Sequence, residues 1–243
     1  MSDQIKPSNT RFVVHMDILG MSHLVRLDPE LAWRALTALV EARDHVGKYQ
    51  LTFLDTAERT LVGERVNAVT FSDTIVLFSK SDLLVDLRTI LVAATEIFNK
   101  ALATCIPMRV GIAHGTFFFN LEDSMYAGPA LIEAYELGEN AQWVGFTASE
   151  VVYRRAEEAA IKSRSESVVI PAMIPLNAGE SSGYAINWPA ILERKAGVTL
   201  PITAEQFYGG FSEYFGPYAG LAPRARVKYE NATKFFNAHA TGA

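Results

Sequence analysis

Phe12-Val13-Val14-His15-Met16-Asp17-Ile18-Leu19-Gly20 is an apolar, β-branched run that ends in a carboxylate and a glycine. Its length and composition are those of a buried strand. A buried carboxylate is costly unless it is paired, hydrogen-bonded or bound to a cation. Two roles are open to Asp17: capping the next helical turn, or chemistry. A second carboxylate, Asp73, sits between two apolar, β-rich arms, Glu64 to Thr70 and Thr74 to Ser79. These arms read as a hairpin with Ser72-Asp73 at its turn.

Outward from these two strands the chain alternates. Residues 1–10 read as a loose polar tail. After the first strand, Ser22 to Arg26 is a short helical segment. Asp28-Pro29-Glu30 is a helix start, with Asp at the cap, Pro in the first turn and an early carboxylate. Leu31, Ala35, Leu36, Leu39, Val40 and Val46 recur at helical spacing, predicting a helix that ends near Gly47. Tyr49 to Leu54 has strand composition, and Asp55 to Gly63 reads as a loop. A second helix is predicted over 83–104, a strand over 108–119 and a helix over 129–141. Beyond these follow a strand at 143–146, an amphipathic helix over 148–162 and two strands at 167–171 and 183–188. The order β, α, β-hairpin, α, β predicts an α+β fold: a mainly antiparallel sheet carrying helices, built on a ferredoxin-like βαββαβ core. The domain spans 11–190. Residues 191–243 are rich in Gly, Tyr, Phe and Pro and read as a C-terminal appendage with a last helix over 223–240. It has too little chain for its own core, so its aromatics are expected to pack on the main body or on a second subunit.

Composition narrows the partners. The net charge is -5, with no run of Lys and Arg, which speaks against non-specific binding to nucleic acid or membrane surfaces. The single cysteine, Cys105, excludes an intramolecular disulfide and a cysteine-based zinc site. The polar start and the lack of a long apolar run predict a cytoplasmic chain without a spanning helix.

In a βαββαβ core, strand 1 lies beside the hairpin, so Asp17 and Asp73 can meet at one edge of the sheet. Two carboxylates brought together repel unless cations sit between them. Phosphoryl or nucleotidyl transfer with two divalent ions needs such a pair. Mn²⁺ or Mg²⁺ suits hard oxygen ligands, and the Ile18 carbonyl is placed to complete a site. Two unrelated turn aspartates are the alternative.

Four segments in order resemble the class III nucleotidyl cyclases. Phe12 to Gly20 matches the strand with the first metal aspartate. Phe71-Ser72-Asp73-Thr74 matches the hairpin with the second, where most members have Gly-Asp. Met108-Arg109-Val110-Gly111-Ile112-Ala113-His114-Gly115 matches the Arg-x-Gly-Ile-x-x-Gly strand. Tyr126-Ala127-Gly128-Pro129 to Leu137 matches the glycine-led helix that follows. The match covers about residues 11–188. Two departures stand out. The helix positions that carry an Asn and an Arg for ribose and phosphates read Ile132 and Glu136. The purine-reading position on the hairpin falls at Asn67, and a second base-contacting position falls near Met125 or Tyr126.

The resemblance extends to the bacterial Pycsar antiphage cyclases. It implies a pyrimidine nucleotide cyclase converting UTP to 3′,5′-cyclic UMP and pyrophosphate, with cyclic CMP from CTP, or a non-catalytic nucleotide-binding or dimerisation module, as alternatives. It implies Asp17 and Asp73 as catalytic metal ligands with Ile18, two Mn²⁺ or Mg²⁺ ions, and nucleotide contacts from Phe12, Asn67 and Tyr126. Asn67 can donate and accept, which suits a pyrimidine edge. It further implies a homodimer with sites at the interface and a product that acts on a separate effector protein. Arg43, Lys48 and Arg65 are candidates for the missing cation, against the commoner role of solvated surface charge. Arg109 is expected to pair with a neighbouring carboxylate, His114 to be packed and hydrogen-bonded, and His15 to face away from Asp17.

Overall fold

The computed structural model describes residues 9–53, 57–163, 165–192 and 200–240. Most of the expected N-terminal tail, residues 1–8, lies outside the described residues, as do 193–199 and 241–243 of the appendage.

Strand β1 (Thr10–Ile18) is followed by α1 (Met21–Leu27) and α2 (Pro29–Gly47). The cap of α2 is as predicted: the Asp28 carboxylate accepts the Leu31 N–H at 2.9 Å, with Pro29 in the first turn. Next, β2 (Gln50–Phe53) and β3 (Glu58–Leu61) form a separate two-stranded ribbon, and one helical turn, α3 (Val62–Arg65), follows. The expectation of a loop is therefore corrected over 58–63, and that of a strand from Glu64 at its first two residues; 54–56 lie outside the described residues. In β3 only Thr60 is buried, so the segment has no apolar alternation to reveal it. Strands β4 (Val66–Phe71) and β5 (Thr74–Ser79) make the expected hairpin, with Ser72 at φ 54° in its turn.

Helix α4 (Leu84–Ala103) leads to β6 (Met108–Thr116), a small ribbon of β7 (Phe118–Asn120) and β8 (Met125–Ala127), and α5 (Pro129–Asn140). Then come β9 (Gly145–Ala148), α6 (Glu150–Glu158), a short ribbon of β10 (Lys162–Ser163) and β11 (Glu166–Ser167), and the hairpin β12 (Val169–Leu176) and β13 (Gly179–Ile186). The main sheet runs β12-β13-β9-β6-β1-β5-β4. Its strand pairs are antiparallel except β6 with β9.

Alternation along β1 divides the interior. Phe12, Val14, Met16 and Ile18 enter the main core with α2 and α4 side chains, while Val13 joins Phe78, Ala113, Ala130 and Ala134 beneath α5. Helix α5 lies unusually close to β6: a Cβ at Gly111 would fall 2.0 Å from the Ala134 carbonyl oxygen. Only glycine permits that approach.

The domain ends in α7 (Trp188–Ile191), and the appendage that follows carries α8 (Ala204–Tyr208), α9 (Ser212–Phe215) and α10 (Pro223–His239). Its aromatics pack on the main body. Phe235 meets Trp143 edge-on at 5.0 Å and Phe236 stacks on Trp188 at 5.6 Å, while within the appendage Tyr229 meets Tyr208 at 4.7 Å.

Candidate active site

The β1–β5 register pairs Asp17 with Thr74, and the Ile18 N–H donates to the Asp73 carbonyl at 3.3 Å. The end of β1 and the hairpin turn are thereby locked side by side. Asp17, Ile18 and Asp73 line one cleft of about 850 Å³, closed on its far side by residues 215–229 of the appendage. A groove of about 640 Å³ between β2, α4 and Ile161 has Glu96 as its one lining carboxylate, so the paired aspartates single out the first cleft as the candidate site.

Arg109, the β6 partner of Asp17, organises the carboxylates. Its Nε donates to Asp17 Oδ2 at 3.0 Å, and a terminal nitrogen reaches the same oxygen at 3.0 Å. The guanidinium also pairs with the Glu139 carboxylate and donates to the Glu139 carbonyl at 3.3 Å. Burial pushes the Asp17 carboxyl above its ordinary range. The Arg109 charge pulls it back, and the nearby Asp73 pushes it up again.

These donors fit a hard divalent ion. Asp17 Oδ1 and both Asp73 carboxylate oxygens make no hydrogen bond with the described residues. Among the described residues no group of three or more His, Cys, Asp or Glu side chains is gathered for a metal. Ligands beyond the two carboxylates and the Ile18 carbonyl would come from water and phosphate, as Mg²⁺ commonly accepts.

The nucleotide contacts expected from sequence lie elsewhere. Phe12 is fully buried, against His114 at 4.5 Å and under the Arg155 guanidinium. It presents no face to the cleft, which corrects its assignment as a base contact. Asn67 is the cross-strand partner of Phe78, and the Tyr126 ring lies 6.1 Å from that of Phe78. Asn67 and Tyr126 thus flank one aromatic, and neither lines the carboxylate cleft. Ile132 is 59% exposed on α5, and Glu136 is exposed on the same helix.

Four further expectations change, those for His15, Arg43, Lys48 and Arg65. His15 and Asp17 are two residues apart and therefore share a face. Burial and the Arg109 charge hold the His15 imidazole down at about 4, and Glu139 and Asp73 act on it too. Arg43 is committed to Asp44 and Thr70, and Arg65 to Glu58 and Asp86. Neither these nor Lys48 lines the cleft. Its basic residues are Arg109, with the expected carboxylate partner, and Arg224 and Lys228 of α10. The last two, with Glu139, are absent from the sequence reading. Their one sequence signal is the four-residue spacing that places Arg224 and Lys228 on a common helical face.

No protein-family model and no curated protein matches the sequence. Solved structures match it by fold. One is the catalytic core of a rhodopsin-guanylyl cyclase of converted specificity in complex with ATPαS: TM-score 0.53, 14% identity, 73% of this chain and 94% of the other. A second is a non-canonical dimeric guanylyl cyclase domain of the RhoGC fusion protein from the aquatic fungus Blastocladiella emersonii: TM-score 0.54, 13% identity, 74% and 97%. A third is a bacterial light-regulated adenylyl cyclase: TM-score 0.50, 11% identity, 74% and 90%. The chain has the α+β fold of class III nucleotidyl cyclase catalytic domains.

Proposed function

We propose that this protein is a metal-dependent pyrimidine nucleotide cyclase that converts UTP to 3′,5′-cyclic UMP and pyrophosphate. The observation that carries the reading is the pair Asp17 and Asp73, fixed by strand register in one open cleft of a cyclase fold. The ribose 3′-oxygen attacks the α-phosphorus, the bond to the β-phosphate breaks, and pyrophosphate leaves with the electron pair. The hydroxyl proton passes to solvent. Asp17, Asp73 and the Ile18 carbonyl would hold Mn²⁺ or Mg²⁺, which supplies charge neutralisation at the phosphates. Arg109 orients the Asp17 carboxylate.

The base preference rests on Asn67 and Tyr126. Their separation from the carboxylate cleft supports a homodimer in which one subunit brings metals and the other reads the base. Exposed Phe118, Met125, Ile132 and Tyr135 on β7, β8 and α5 support the same arrangement. In this reading, which follows the resemblance to Pycsar cyclases, the product is a messenger for a separate antiphage effector. CTP is the second substrate candidate, since an amide can address either pyrimidine edge.

The test is product identification after incubating purified protein with each of the four nucleoside triphosphates and Mn²⁺. Cyclic UMP, lost in Asp17→Asn and Asp73→Asn, is the expected result. A cyclic purine product overturns the base assignment. No cyclic product from any of the four overturns the enzyme reading and leaves the binding-module alternative.

A further inference from the structure

The three basic side chains that face the carboxylate cleft are not equivalent. Arg109 is consumed by Asp17 and Glu139. The Arg224 guanidinium and the Lys228 ammonium make no hydrogen bond or ion pair with the described residues, yet both residues line the cleft. Arg226, between them in sequence, is turned away. It donates to the Ala219 and Leu221 carbonyls and lies over the Tyr218 ring at 5.3 Å.

The helix that presents them is anchored. The Val144 N–H donates to the Lys228 carbonyl at 3.4 Å, Asn231 donates to the Gln142 carbonyl at 2.8 Å, and Phe235 packs on Trp143. Two uncommitted cations are therefore held opposite two uncommitted carboxylate edges by a docked helix. Lys228 is half-buried there. Burial, and then the Arg109 charge, push its ammonium below the usual lysine range, so a bound anion would relieve that ion.

We infer that Arg224 and Lys228 form the binding site for the polyphosphate tail of the nucleotide. The C-terminal helix thus supplies the positive charge that α5 does not, since Glu136 occupies the position where the resemblance leads one to look for an arginine. The identity of the polyphosphate as that of a nucleoside triphosphate rests on the function proposed above. Charge supports it. Asp17, Asp73 and Glu139 cancel Arg109, Arg224 and Lys228, leaving the cleft formally neutral. Two divalent ions would bring as much positive charge as a fully ionised triphosphate brings negative.

The experiment is calorimetric titration of the full chain with inorganic tripolyphosphate in the presence of Mn²⁺. Arg224→Ala and Lys228→Ala are each expected to weaken binding about tenfold or more, the scale of a charge-assisted hydrogen bond. Lys228→Arg should retain most of the affinity, and Lys234→Ala, further along α10, all of it. Arg224 and Lys234 are exposed, so their variants keep the fold if Lys228→Ala does not. Wild-type affinity in the Arg224/Lys228 double variant overturns the inference, as does failure of the wild type to bind tripolyphosphate. The readout needs no turnover. If no nucleotide is cyclised but tripolyphosphate binding depends on these two residues, the enzyme reading fails and this site stands. If the double variant cyclises a nucleotide with unchanged KM, the site falls and the enzyme reading stands.

Discussion

Arg109 and Asp17 face each other across the β6–β1 ladder, and two nitrogens of the guanidinium group reach one carboxylate oxygen at 3.0 Å. Arg109→Met keeps the apolar stem and removes the charge. Asp17 then keeps its burial and its neighbour Asp73 with no cation to offset them. The variant is expected to lose about 1–3 kcal/mol of stability. Added Mn²⁺ should recover more stability in the variant than it adds to the wild type. Urea midpoints with and without Mn²⁺ check this, and equal midpoints for both proteins would show that Arg109 does not support Asp17.

Gly111 and Gly115 lie on the same strand but meet α5 differently. A Cβ at Gly111 would strike the Ala134 carbonyl at 2.0 Å, whereas one at Gly115 would meet the Ala130 Cβ at 3.6 Å, an ordinary contact. Gly111→Ala is expected to cost about 1–3 kcal/mol, because backbone must yield. Gly115→Ala should be close to neutral. Chemical denaturation of the pair measures the difference directly.

The appendage is tested at Phe236, which is 5% exposed. Phe236→Ala should cost about 3–5 kcal/mol. Phe71, beside the hairpin turn, is 85% exposed. Phe71→Ser should leave monomer stability within about 0.5 kcal/mol and weaken any dimer it helps to cover. Thermal melts and sedimentation at several concentrations separate the two effects.

His114 supplies a pH test. Burial, then the Arg155 charge, hold its imidazole below the ordinary histidine range. The folded chain therefore keeps it neutral where the unfolded chain, near pH 6.5, takes up a proton. The unfolded state binds more protons below that point, so the stability contribution is complete above about pH 6.5 and declines on acidification. His15 acts in the same direction. His114→Gln should flatten part of the slope of urea midpoint between about pH 5 and 7. An unchanged slope would exclude His114 as a contributor.

Much of this molecule could be read from its residues. The Asp28-Pro29 start, the apolar stripe of α2 and the hairpin around Ser72-Asp73 are local signals, and the structure repeats them. The carboxylate pair was legible because two strand ends joined in a hairpin-type sheet have few ways to sit. The ribbon strand Glu58–Leu61 escaped notice because one buried threonine carries no pattern. Arg224 and Lys228 escaped for a different reason. Their place over the cleft depends on Phe235 and Phe236 finding Trp143 and Trp188, contacts between distant residues that no window of sequence contains. The shared face of His15 and Asp17 is a purely local signal, since alternation places residues two apart on one side.

The hydrogen bond from Ile18 to Asp73 has a bearing on how this chain could be assayed while it folds. A strand that slips by one residue turns every side chain over. Asp17 would then point into the main core and the cleft would hold one carboxylate. If the cleft takes the divalent ion proposed for it, metal capture becomes a register gauge: a population of chains would bind in proportion to the fraction whose first strand has zipped correctly against the hairpin.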